Sequence, residues 1–199
     1  ILNGATDREM TIYWCKVARP YFSLALDLLV DMLRNSLFDP EEVEKERKVI
    51  LDELVRTWDS PQDKVELLMD EVVWPNQPLG RDVAGSKETI NALTLPMLRE
   101  SWERQYGPTD AVVSVSGDIE HEEVVAAVGK ALGDWAPTVP APWYPSQDNQ
   151  EAPRLKVESR KTEETYFCLG VRGLSYLHPD RFNLDLLNVI LGEGMSSRL

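Results

Sequence analysis

The sequence predicts an α+β chain in two units, and three observations carry that reading. Residues 8–17 alternate with the period of a strand, Met10, Ile12 and Trp14 on one side and Thr11, Tyr13, Cys15 and Val17 on the other. Several later segments space their apolar residues at the three- and four-residue intervals of helices. Pro137, Pro140, Pro142, Pro145 and Pro153 then punctuate a polar stretch that cannot hold regular structure and reads as a linker. The expected boundaries are 1–136 for the first domain, 137–153 for the linker and 154–199 for the beginning of a second.

After the first strand, Pro20 opens a helix whose Phe22, Ala25, Leu26, Leu29 and Leu33 form a core stripe. A second helix begins with Asp39 as N-cap, Pro40 at the first helical position and Glu42 three residues after the cap. Ser60-Pro61 starts a third, with Val65, Leu68, Met69, Val72 and Val73 inward, and it ends in the turn-rich run Trp74 to Arg81. Ser86 and Thr94 suit the caps of two shorter helices, the second stopping at Gly107. Ala111–Ser116 reads as an apolar strand, and Gly117-Asp118 leads into a helix over Val124–Leu132 closed by Gly133. Beyond the linker come strands near Arg154–Ser159 and Thr165–Val171 and a helix from about Pro179 to Leu191. Two strands and a helix are too few for a domain, so the chain is expected to stop inside its second one. It opens on Ile1-Leu2-Asn3 with no methionine, so a preceding segment is expected as well.

Charge narrows the partners. The 199 residues carry 21 Lys and Arg against 34 Asp and Glu, a formal charge of −13, which repels nucleic acid and anionic membrane surfaces. No apolar run reaches spanning length, so membrane insertion is not expected. Cys15 and Cys168 stand far apart and offer neither a disulfide framework nor a zinc-ligand spacing. A reducing compartment is the default expectation, and the acidic balance leans away from a mitochondrial matrix and toward a bacterial cytoplasm or periplasm, of which the cytoplasm is the expected one.

Glu46 and Glu53 are the residues most in need of explanation. Seven positions are almost two full turns, so the two acids nearly eclipse each other on the second helix, with Val43, Ile50 and Leu54 to one side and Val49 to the other. That places them on the apolar stripe, where a carboxylate is costly unless it is paired, hydrogen-bonded or bound to a cation. A neighbouring Arg or Lys, a metal ion, or solvent on that side would each meet the need. The rest of a metal site is not visible. His121 and His178 lie in no H-x-x-E-H or H-E-x-x-H arrangement; His121-Glu122-Glu123 suits a helix start, where acids favour the dipole, and His178 precedes Pro179 in a loop. The six tryptophans are scattered and read as packing.

Five segments in order resemble the pitrilysin, insulysin and mitochondrial processing peptidase family of zinc endopeptidases. Leu2-Asn3-Gly4-Ala5-Thr6, with Glu9, Thr11 and Tyr13, looks like that family's L-N-A-x-T-x-x-E-x-T-x-Y strand. Glu46-Arg47-Lys48-Val49-Ile50-Leu51-Asp52-Glu53 looks like its E-R-x-V-I-L-x-E helix. Pro78-Leu79-Gly80-Arg81 with Gly85 and Glu88, then Tyr106-Gly107-Pro108 with Gly117-Asp118-Ile119 and His121, match its next loops, although Gln77 stands where many relatives have His. Leu191 to Leu199 resembles the L-G-x-G-M-S-S-R-L of its second domain.

The resemblance implies an antiparallel sheet with helices packed on it, repeated after the linker. It also implies an inverted zinc site, with H-x-x-E-H giving two histidine ligands and the general base and a downstream Glu the third ligand. Glu53 matches that metal-binding glutamate, and Glu46 matches an acid that supports and orients the site. The histidine motif lies before the Leu2-Asn3 strand in the family, so this chain is expected neither to hold Zn2+ tightly nor to cleave peptide alone. Asn3, Gly4 and Ala5 match the edge on which family members bind an extended peptide as an added strand. Gly4 replaces the usual Ala and is expected to let a peptide approach closely. The expected partners are an unstructured peptide or presequence and a second two-domain half or a dimer partner. A non-catalytic subunit with a structural or peptide-binding role is the rival reading; retention of both glutamates favours the catalytic type.

Overall fold

The computed structural model describes residues 1–139, 142–161 and 163–198, so Pro140 of the linker and Leu199 of the last motif lie outside the described residues. The chain is mixed α+β, with a two-stranded antiparallel sheet and seven α-helices among the described residues. It divides into compact units at Ile1–Ser159 and Arg160–Leu199.

In the first unit, β1 (Leu2–Thr6) and β2 (Thr11–Cys15) form a hairpin with Asn3 opposite Trp14, Gly4 opposite Tyr13 and Ala5 opposite Ile12. The turn closes where the Asp7 amide donates to the Met10 carbonyl at 2.8 Å. Facing residues share a side of a sheet. Tyr13 and Cys15 therefore pack on one side, while Ile12 and Trp14 leave theirs open at 42% and 41% exposed. A Cβ built on Gly4 would meet the Tyr13 ring at 3.4 Å, an ordinary contact on the packed side. Its absence thus leaves a gap beside Tyr13 and does not widen the strand edge. Gly4→Ala is expected to stabilise the protein by about 0.5–1 kcal/mol, because alanine costs less backbone entropy in a strand. A thermal melt checks this, and a lowered midpoint would show that the methyl does not fit.

Pro20 sits in a 3-10 turn, Arg19–Tyr21, which feeds α1 (Phe22–Arg34). The expected stripe is the inward one: Ala25 is buried, and Phe22, Leu26, Leu29 and Leu33 are half-buried. Its C-terminal Arg34 reaches α6 (His121–Leu132), donating to the Ala131 carbonyl at 3.2 Å and to Asp134 at 2.7 Å. α5 (Leu95–Gln105) meets the end of α1, where Trp102 Nε1 donates to the Leu33 carbonyl at 3.0 Å.

The Asp39-Pro40 start of α2 (Pro40–Asp59) forms as the cap chemistry requires, Asp39 Oδ1 accepting from the Glu41 and Glu42 amides at 2.9 and 3.2 Å. α3 (Pro61–Val73) begins on the Ser60 cap, and α4 (Lys87–Ala92) on a reciprocal Ser86–Thr89 box. The core of this region is Leu54, Leu68 and Ile90. Lys64 is buried with them, its ammonium 4.1 Å from the centre of the Trp58 ring and 3.8 Å from Glu158.

Three expected strands are not strands. Residues 111–116, 154–159 and 165–171 enter no β-ladder among the described residues. Their apolar or alternating character is real, but a strand exists only where a neighbour supplies the ladder bonds. Val112, for example, is 91% exposed. In the second unit, α7 (Arg181–Gly192) starts two residues later than expected, with the Arg181 guanidinium over the Tyr176 and Phe182 rings. The next loop folds back, the Arg198 amide donating to the Ile190 carbonyl at 3.1 Å.

Candidate metal and peptide-binding site

The buried side of α2 comprises Val43, Arg47, Ile50, Leu51, Leu54 and Thr57. Arg47 occupies a core-facing position because its guanidinium reaches past the helix to the carbonyls of Ile90 and Leu93, the latter at 2.8 Å, while pairing with Glu44 at 3.0 Å. That bond also holds the Glu44 carboxyl below its usual range. With Arg47 inside, the core stripe is centred about 80–100° round the helix from Glu46 and Glu53. Both glutamates are exposed. Their expected place on the apolar stripe is therefore corrected: they stand on its flank and face solvent. They do eclipse each other, about 10 Å apart along the axis. No hydrogen bond or ion pair engages either one among the described residues, in contrast to Glu42, which pairs with Lys45 at 2.6 Å, and to Glu44. Val49, between them, is 47% exposed. The result is an acidic, partly apolar helix face on which neither acid is neutralised by a described residue of this chain.

Asn3, Gly4 and Ala5 lie on the exposed strand β1, which pairs only with β2 in the described sheet. Ile1 and Lys16 exchange both backbone bonds, at 3.0 and 2.9 Å. Such pairs alternate along an antiparallel ladder, so the N–H and C=O groups of Leu2, Gly4 and Thr6 point away from β2 to the open edge. The Gly4 amide is taken at 2.8 Å by the side-chain oxygen of Asn3. Beneath this strand, Tyr13 shares a 3.0 Å hydroxyl contact with Tyr106. Burial first, and then that hydrogen bond, push the Tyr106 hydroxyl up to about 12. Because its folded value lies above the ordinary 10, the stabilisation it gives is full below pH 10 and lost between pH 10 and about 12. Tyr106→Phe is expected to flatten the fall of melting temperature over that window; an unchanged fall would remove Tyr106 as its cause.

No hydrogen bond among the described residues joins the glutamates to the β1 edge. Two partners were not visible in the sequence, Tyr106 for Tyr13 and the buried cation Lys64. The first stands inside the motif Tyr106-Gly107-Pro108, but nothing in the sequence pairs residues 93 positions apart.

A family model described as "Insulinase (Peptidase family M16)" matches residues 1–87, and one described as "Peptidase M16 inactive domain" matches residues 92–199. The chain belongs to peptidase family M16. It is 37% identical, over its whole length, to an uncharacterized zinc protease of Streptomyces coelicolor and 33% identical to the uncharacterized zinc protease YmxG of Bacillus subtilis. The chain spans about half the length of these relatives, 44% and 48%. Among solved structures, its fold resembles a protease from Helicobacter pylori, with a TM-score of 0.75, 20% identity and coverage of 100% of this chain and 49% of that one. It also resembles the first half of the periplasmic protease PqqL from Escherichia coli, with a TM-score of 0.64, 21% identity and coverage of 73% and 32%.

The zinc these names imply can be tested against the residues. Zinc takes three or four N, S or O donors at about 2.0–2.3 Å. Among the described residues, no group of three His, Cys, Asp or Glu is placed to hold a metal ion. Glu53 offers one unpartnered carboxylate, which is a donor and not a donor set. No helix among the described residues is long and apolar enough to cross a membrane.

Proposed function

We propose that this chain is part of a zinc metalloendopeptidase that hydrolyses unstructured peptides, with Glu53 giving one zinc ligand, Glu46 orienting the site and β1 receiving the substrate. The observation that carries it is the eclipsing, solvent-facing pair Glu46 and Glu53, which no hydrogen bond or ion pair engages among the described residues; Glu41, Asp52 and Asp59 of α2 are likewise unengaged there, so it is the shared face seven positions apart that marks the pair. An acid left free on an eclipsing face is suited to a cation brought by other residues. Bound zinc would supply a polarised water for attack on a peptide carbonyl.

The chain's own residues do the rest. Glu53 presents an anionic oxygen without having to break an ion pair. Glu46, about two turns away, adds negative charge that orients the ligands others supply. Leu2, Gly4 and Thr6 offer main-chain groups to an extended peptide, which binds a backbone without reading its sequence. Asn3 holds the Gly4 amide until a peptide carbonyl replaces it. The domain reading 1–136, 137–153 and 154–199, the second half or dimer partner, and a bacterial cytoplasmic setting belong to the same proposal; the acidic charge supports the last.

Incubation of the full-length protein with an unstructured basic peptide tests it. Cleavage is expected, stopped by a zinc chelator and restored by added zinc. A metal-replete protein that leaves the peptide intact contradicts the reading and favours the non-catalytic subunit.

A further inference from the structure

The proline-rich stretch does not leave the first unit as a loose tether. Thr109 Oγ1 donates to the Thr138 carbonyl at 2.8 Å and accepts from its amide at 3.2 Å. Further on, the side chain of Gln77 acts as a ladder rung for Gln147, donating to its carbonyl at 3.0 Å and accepting from its amide at 2.7 Å. Arg154 then donates to the Val72 and Val73 carbonyls at 3.1 and 3.3 Å, supplying partners that the last turn of α3 lacks. Lys156 pairs with Glu71, and Glu158 lies 3.8 Å from Lys64. Residues 154, 156 and 158 thus turn alternate side chains onto α3, as an extended chain does. This explains the strand-like pattern of a segment that joins no sheet among the described residues.

The same end of α3 holds the hairpin. Arg8, in the β1–β2 turn, pairs with Asp70 and donates through Nε to the Leu79 carbonyl at 3.0 Å. The connecting turn is folded tightly on the helix end: a Cβ on Gly80 would stand 2.2 Å from the Trp74 carbonyl oxygen. One short turn, 74–80, is therefore gripped by residue 147 through Gln77 and by residue 8 through Leu79.

We propose that residues 147–158 form a releasable strap, and that its docking on α3 fixes the mount from which the β1–β2 hairpin is held. Gln77 and Arg8 are positioning residues in this device. The strap's ionic contact at Lys156–Glu71 is half-exposed, with side chains 44% and 45% accessible, so salt weakens it. When the strap lifts, the turn loses its Gln77 anchor and Arg8 loses a fixed carbonyl, and the hairpin loosens. The consequence for substrate rests on reading β1 as the peptide edge. The coupling itself does not, and it is measured without peptide.

The test is hydrogen exchange with limited trypsin digestion of the full-length protein, wild type against Gln77→Ala. Cleavage after Arg154 and Lys156 is expected to rise about tenfold, the loss of roughly one well-made hydrogen-bond pair. Exchange at the Asp7 and Lys16 amides of the hairpin is expected to rise with it, while α1 and α6 stay unchanged. A strap that stays protected overturns the proposal, and so does a freed strap beside an unchanged hairpin. Should Gln77→Ala raise exchange everywhere, Glu71→Gln, which breaks the Lys156 pair at a half-exposed site and keeps both trypsin sites, gives the same two readings, and either failure there overturns the proposal equally. If peptide cleavage is absent while the coupling holds, the functional reading fails and this one stands.

Discussion

Leu54→Ala is expected to destabilise the protein by about 2–5 kcal/mol, the cost of a buried leucine truncated where its surroundings relax only partly. Leu54 is 3% exposed, the most enclosed apolar side chain in the core. It stands on α2 between the half-buried Ile50 and Leu51 and the C-terminal Thr57, on the side that meets α3 and α4. The same helix carries Glu46 and Glu53, so a cavity at Leu54 also shifts the base on which the acids are mounted. Chemical denaturation of the wild type and variant measures the loss. A change below about 1 kcal/mol would place Leu54 among substitutions typical of a surface site and contradict the packing described for α2.

Glu46→Gln is expected to leave stability almost unchanged and to weaken zinc binding by the full-length protein about 10- to 100-fold. The fold is spared because the side chain is exposed and has no partner among the described residues, and because glutamine and glutamate have nearly equal helix propensity. In the proposed site the metal is affected because glutamine loses the carboxylate that would hydrogen-bond and orient a ligand supplied by other residues, without changing shape. A zinc titration against a competing chelator reads the effect. Equal affinity in the two proteins would reduce Glu46 to a solvated surface acid.

Features with a local cause were legible in the sequence. Asp39-Pro40 announced the start of α2 because a cap is made by residues two and three apart, and Ser60 and Ser86 announced theirs for the same reason. The eclipse of Glu46 and Glu53 is likewise helix arithmetic. Their exposure was not legible. It results from Arg47 taking a core position, and Arg47 is tolerated there by carbonyls at Ile90 and Leu93, more than 40 residues away. Counting apolar residues alone therefore rotated the stripe toward the acids. The segments 111–116, 154–159 and 165–171 look like strands one residue at a time, yet ladders are pairings, and the pairing partner is not written beside them. Proline spacing correctly denied regular structure to the described part of 137–153. The docking of residues 147–158 was hidden, because it depends on Gln77, a side chain 70 positions before Gln147.

The family was legible from five ordered motifs, and the models matching residues 1–87 and 92–199 place the chain in peptidase family M16. What the motifs do not carry is the donor set. Glu53 is exposed and engaged by no hydrogen bond or ion pair among the described residues, and in the proposed enzyme the rest of the donor set comes from outside them.

Zinc content per chain of the full-length protein, purified metal-replete and compared with Glu53→Gln, is the most direct test. Close to one zinc is expected in the wild type and almost none in the variant, with matching melting profiles for the metal-free forms. A wild type without zinc, or a variant that keeps it, would contradict the assignment of Glu53 as a ligand.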